Sequence, residues 1–176
     1  MHYVVHPNKY SSKPNIISII IGNKFKWFFE LHSSSWYDPR TIDNQGYNKG
    51  PGIGYFPHHL LFSTRIGWIP SIEENKFDIG IYRRRWSKWS FEYVCQIESD
   101  TRYYFIKHYN GYHLYDVESN FYKVNNNKNK IINLINIFNR FGYGLQLYHG
   151  GRSPAPQTII MDMGLDYSRF SVNLKL

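Results

Sequence analysis

Hydrophobic and polar positions alternate with a period of two along most of the chain, the mark of strands with one buried face. Phe25, Trp27, Phe29 and Leu31 share one face, and Lys24, Lys26, Glu30 and His32 share the other. The β-branched run before it, Asn15 to Ile21, ends at Gly22-Asn23, so the two segments are expected to pair as a hairpin. Further on, Leu60, Phe62, Thr64, Ile66 and Trp68 alternate with Leu61, Ser63, Arg65 and Ile69, and Phe77, Ile79 and Ile81 resume the pattern. Trp89, Phe91, Tyr93, Cys95 and Ile97 form a third run. Ser99-Asp100 turns it into Arg102 to Tyr109, and the two-residue hairpin signal Asn110-Gly111 returns the chain through Tyr112 to Val117. A meander of neighbouring antiparallel strands is predicted. Tyr143 to His149, Thr158 to Met163 and Phe170 to Leu174 add later strands.

Two segments break the alternation. Between Ser33 and Pro57, Asp38-Pro39, Gly46 and Gly50-Pro51-Gly52-Ile53-Gly54 predict a long surface loop over 33–57. Ile131, Leu134, Ile135 and Phe138 recur at helical spacing, with Asn127 as N-cap and Gly142 as stop, which predicts one short helix near 128–140 covering a sheet. No fixed-period repeat or interior linker divides the chain. The expectation is a single mostly β domain over residues 1–176, an antiparallel β-sandwich or jelly roll.

Hydrophobic residues at 42% against charged residues at 19% supply enough apolar surface for a packed core, which excludes a disordered chain. Aromatic residues at 19% favour pleated strands and leave rings for the surface. The formal charge of +8 creates a field that concentrates anionic partners. The single cysteine, Cys95, excludes an intrachain disulfide and reads as a small buried hydrophobe. Met1 to Lys13 lacks the pattern of a signal peptide, and the longest apolar run, Ile16 to Ile21, is too short to span a bilayer. No membrane association is expected, and an intracellular or virion location follows. The abundance of Asn, Lys, Ile and Tyr matches AT-rich codons, as in a virus, phage or AT-rich bacterium.

The densest chemical feature is Tyr82-Arg83-Arg84-Arg85-Trp86-Ser87-Lys88-Trp89. Guanidinium forks grip phosphate or carboxylate, and interleaved indoles stack on bases or sugar faces. Arg83, Arg84, Arg85, Trp86, Lys88 and Trp89, with Arg152 in the Gly-Gly-Arg-Ser-Pro stretch, are the candidate ligand-binding residues. The competing account is an exposed hairpin end whose charges protect a sheet edge while one indole turns into the core. Arg65 and Trp68 fall on opposite faces of a regular strand, with Trp68 in the core.

None of the eight histidines falls in a recognised metal signature: His2 and His6 would need a helix, adjacent His58 and His59 point apart on a strand, and His108 and His113 flank a turn. No metal or cofactor is predicted. Catalytic carboxylates are not indicated either. Glu92 and Glu98 read as one polar face but lie roughly 20 Å apart along an extended chain, and Asp162 and Asp166 read as solvent-facing. No serine nucleophile elbow is present.

Ser63-Thr64-Arg65-Ile66-Gly67-Trp68, a following strand ending in Tyr82, and Tyr148-His149-Gly150-Gly151-Arg152-Ser153-Pro154-Ala155-Pro156 before the closing strand resemble a functionally uncharacterised group of β-sandwich proteins from Bacteroidetes-like bacteria and their phages. The resemblance covers roughly the C-terminal two-thirds and implies a jelly-roll architecture, with no catalytic residues attached. The leading expectation is a non-catalytic recognition module for an anionic, ring-containing ligand, whether a nucleotide, a nucleic acid or an acidic glycan. The alternatives are a structural protein of a virus particle or other homo-oligomer, and a glycan-cleaving enzyme.

Overall fold

The computed structural model describes residues 1–14, 16–21, 25–41, 46–55, 61–86, 88–108, 111–116, 121–123, 141–150, 153–166 and 171–175. Thirteen strands run through them: β1 (His2–Val5), β2 (Ile16–Ile21), β3 (Phe25–Leu31), β4 (Asn48–Tyr55), β5 (Phe62–Pro70), β6 (Lys76–Arg85), β7 (Lys88–Glu98), β8 (Arg102–His108), β9 (Gly111–Asp116), β10 (Phe121–Lys123), β11 (Phe141–Leu145), β12 (Ile159–Asp166) and β13 (Ser171–Lys175). They form a six-stranded sheet, ordered β1-β12-β3-β8-β9-β10, and a seven-stranded sheet, ordered β13-β2-β11-β4-β5-β6-β7. Every ladder is antiparallel. The fold is thus the predicted sandwich. The helix expected near 128–140 lies outside the described residues, and so does Arg152.

The alternating residues meet between the sheets. Trp27, Phe29, Leu31, Phe105, Leu114, Ile159 and Met161 come from the six-stranded sheet, and Ile53, Ile66, Trp68, Phe77, Ile79 and Ile81 from the other. Trp68 is fully buried and meets the Phe77 ring edge-to-face at 5.2 Å. Burial of each such side chain contributes about 1.5–3 kcal/mol, which makes this layer the main source of stability.

Three expectations about connectivity are corrected. β2 and β3 do not form a hairpin: β2 pairs with β11 and β13, whereas β3 pairs with β12 and β8 in the opposite sheet. Adjacent hydrophobic runs had suggested neighbours, but a sandwich can bury both by facing them across the core. The meander is likewise two meanders, because the chain crosses between sheets from β7 to β8. At that crossing Asp100 takes a left-handed φ of 52° and donates its amide to the Leu31 carbonyl at 2.8 Å. β8 and β9 do pair as a hairpin, but His108 lies opposite Gly111, so Gly111 belongs to the strand and not to the turn that the Asn110-Gly111 signal predicts.

The third correction concerns the loop over 33–57. Its second half is β4, an interior strand between β11 and β5, and Ser33–Ser35 forms a 3₁₀ turn. A Cβ on Gly52 would stand 2.3 Å from the Thr64 carbonyl oxygen and 2.4 Å from the Arg65 Cα. Glycine there permits close approach of two backbones, a role that looks like loop punctuation in sequence. The β4–β5 register breaks between Lys49 and Gly52, leaving part of β4 without ladder partners on β5.

A bulge also rephases β7. Ile79 pairs with Cys95 but Gly80 pairs with Tyr93, so Val94 is an extra residue. Cys95 and Ile97 therefore face the core while Trp89, Phe91 and Tyr93 face outward, and Glu92 and Glu98 lie on opposite faces rather than sharing one. Burial pushes the Cys95 thiol up to about 12, which keeps it an unreactive thiol at neutral pH.

Candidate functional site

Cross-strand register assembles the site on the outer face of the seven-stranded sheet. Lys49 lies opposite Gly67, Arg65 opposite Tyr82, Tyr82 opposite Phe91, and Arg84 opposite Trp89. Paired residues project to the same side of a sheet, so four strands deliver three cations and three rings to one surface. Gly67 and Gly80 make room among them. A Cβ on Gly80 would sit 2.4 Å from Phe91 Cζ, and one on Gly67 would sit 2.9 Å from Phe91 Cε2, so the ring lies flat over the two glycines. Tyr47 stacks on that ring at 3.7 Å with the planes 9° apart.

Beside this stack, the Lys49 ammonium sits 4.9 Å from the centre of the Tyr82 ring and 5.1 Å from that of Tyr148. Tyr148 is held there by a backbone bridge in which each residue's amide donates to the other's carbonyl at 2.8 Å. Trp89 is 59% exposed and lies parallel to Tyr82 with centroids 6.3 Å apart, forming an outer wall.

Arg65 is buried beneath them. Its Nε and Nη2 donate to the Gly50 carbonyl at 3.2 and 3.1 Å, and Nη2 also reaches the Gln146 and Lys49 carbonyls. The guanidinium thus fills the gap opened by the β4 register break, using main-chain oxygens in place of a carboxylate. Burial lowers Arg65 to about 10, so it stays cationic at neutral pH.

Among the described residues no carboxylate pairs with Lys49, Arg65 or Arg84, and the buried Nε of Arg84 has no hydrogen-bond partner. The contrast with other cations of the protein is direct. Arg83, one residue away on the opposite face, pairs with Glu92 at 2.6 Å; Lys76 pairs with Glu73 at 2.6 Å and Arg102 with Glu30 at 3.4 Å. Burial, reinforced by the charges of Arg65 and Arg84, lowers the Lys49 ammonium to about 8. Neighbouring His149, buried and close to Lys49, is lowered to about 4 by its burial and is neutral at pH 7. An anion entering this cluster would relieve the repulsion among three cations.

The residues singled out in the sequence do not act as one group. Arg84 and Trp89 reach the cluster, Arg83 turns to Glu92, and Arg85 lies across from Lys88 at the exposed hairpin end. Trp86 occupies the turn with φ of 49° and meets Phe62 edge-to-face at 4.8 Å. Both Trp86 and Trp89 are exposed, so neither indole turns into the core.

No known family model matches the chain, and no curated protein matches it. Two solved structures are similar to it. One is described as alginate lyase AlyC3, with a TM-score of 0.46 and 8% identity over 99% of this chain and 70% of the other. The second is an alginate lyase from Alteromonas sp. 272, with a TM-score of 0.42 and 6% identity over 99% of this chain and 88% of the other.

Sequence reasoning missed Lys49, because its strand was read as loop, and Tyr148, which bridges to Lys49 and Ser11 bring into place. A usable signal was present in the outward set Arg65-x-Gly67 and Gly80-x-Tyr82-x-Arg84, where glycine and polar residues alternate with Ile66, Ile79 and Ile81. Such a face is polar but sterically open.

Proposed function

We propose that this outer face binds an acidic glycan, with Lys49 and Arg84 receiving a carboxylate and Trp89 and Tyr148 flanking the sugar ring. The observation carrying this reading is the uncompensated cluster: two cations, Lys49 and Arg84, stand without a described carboxylate partner beside aromatic faces. A uronic acid matches that arrangement, since its charge is attached to the same ring that stacks. Arg65 contributes field from below while its donors hold main-chain oxygens. A single-stranded nucleic acid groove, in contrast, carries exposed cations along an extended backbone track, whereas here Lys49 and Arg84 are partly buried at one spot.

Electrophoresis through gels containing a polyuronate, a neutral glycan or a single-stranded oligonucleotide tests the reading. Retardation by the polyuronate alone, weakening as salt is raised, is expected. Equal retardation by the neutral glycan, or retardation only by the oligonucleotide, would refute it. Release of new chain ends from the polyuronate during the same incubation would extend the reading from binding to cleavage.

A further inference from the structure

The outer face of the six-stranded sheet carries a second cluster. His2 on β1 lies directly opposite Asp162 on β12, and His32 follows the last residue of β3, the strand that pairs with the other side of β12. His2 Nδ1 stands 2.9 Å from Asp162 Oδ1, and His32 Nε2 stands 2.9 Å from Asp162 Oδ2. The two imidazoles meet edge-to-face with centroids 5.5 Å apart. All three donor atoms lie within 4.8 Å of one another.

We infer that His2, His32 and Asp162 form a binding site for a divalent transition ion of the zinc type. Two imidazole nitrogens and one carboxylate oxygen are the borderline donors that zinc takes, at about 2.0–2.2 Å each. Donors around a tetrahedral zinc are spaced roughly 3.3 Å apart, so the group needs an adjustment in which the 2.9 Å contacts open slightly and the wider separations, at most 4.8 Å, close. His2 is exposed and can supply it by side-chain rotation. The other two positions are better fixed. The His32 amide donates to the Ile160 carbonyl at 3.2 Å, and Asp162 sits mid-strand between β1 and β3. With three protein ligands on an open face, a water completes the shell.

The surroundings favour a cation. Asp100, whose carboxylate accepts the Ser33 amide at 3.1 Å, interacts electrostatically with His32, and Glu30 lies beside Asp162 on the same face. Arg102, a cation on the same face, is bonded to Glu30. Neighbouring Met1 donates its amine to the Met163 carbonyl at 2.9 Å, which closes β1 onto β12 at the same point. A bound ion would tie together segments separated by 130 and 160 residues, and it would add stability as its concentration rises above the dissociation constant.

Titration of the untagged full chain with Zn²⁺ by calorimetry, paired with melting curves, tests the inference. One ion per chain and a rise in Tm with added Zn²⁺ are expected. Asp162→Asn and His2→Gln should each weaken uptake at least tenfold and erase the rise, while His6→Ala should change neither. His2→Gln alters an exposed edge position, so its fold should persist even if Asp162→Asn proves unstable. A Co²⁺ derivative should show visible absorption that the His2→Gln protein lacks. Absence of stoichiometric uptake, or uptake indifferent to both substitutions, would show that the three side chains form only a hydrogen-bonded network.

Discussion

Arg65→Met is expected to lower the free energy of unfolding by about 2–4 kcal/mol, seen as an earlier midpoint in urea denaturation. A methionine would fill much of the space and escape the cost of burying a charge, so simple burial arguments predict a gain. The decisive point is that Arg65's partners are main-chain carbonyls, and that of Gly50 remains buried after the substitution. Leaving it without a donor costs about 1–3 kcal/mol, loss of the bonds to Lys49 and Gln146 adds about 0.5–1.5 kcal/mol, and the β4–β5 ladder is broken where the guanidinium sits. Arg65→Lys should recover less than half of the loss, because an ammonium cannot reproduce the planar fork. An unchanged midpoint in Arg65→Met would mean that these carbonyls find water or other donors.

Lys49→Met has the opposite sign. The folded protein holds Lys49 at about 8 against an ordinary 10.5, so the native state disfavours its proton. At pH 7 this corresponds to a cost on the order of 3 kcal/mol, and relief of it should raise stability by about 1–3 kcal/mol after loss of the contacts with Tyr82 and Tyr148. Between pH 8 and 10.5 the unfolded chain binds more protons than the native one. Stability of the wild type should therefore gain a component that rises with pH across that window, and Lys49→Met should lack it. The same substitution should cut polyuronate affinity at least tenfold. In the wild type, affinity should fall as pH rises through about 8, where the free protein loses this charge. A stabilising change that abolishes binding is the expected signature of a strained functional residue. A destabilised Lys49→Met with unaltered retention would remove Lys49 from the site.

The layers of this fold were legible because Phe25 to Leu31 and Phe62 to Trp68 alternate in sequence, and alternation reports which face meets the core. Sheet membership was not legible. The β2 and β3 patterns are the same whether the strands pair side by side or face each other across the core, and only long-range partners such as β11 and β12 decide. Backbone irregularities hid the rest. One extra residue, Val94, reverses the phase of β7 and sends Phe91 and Tyr93 outward, while Gly52 conceals an interior strand as a turn. Half of the site was visible in Arg84 and Trp89, which belong to the conspicuous basic and aromatic run. Lys49 and Tyr148 meet through a single bridge across 99 positions, and His2 meets Asp162 across 160. Local composition holds no trace of such meetings.

The most direct test of the central claim is a map of where a uronic-acid oligomer lands, made by following backbone and side-chain resonances of the isotope-labelled protein during titration. Saturable shifts concentrated at Lys49, Tyr82, Arg84, Trp89 and Tyr148 are expected, with the six-stranded sheet unmoved. Shifts centred on Arg83, Arg85 and Lys88 at the hairpin end, on the opposite sheet, or nowhere at millimolar oligomer would contradict it.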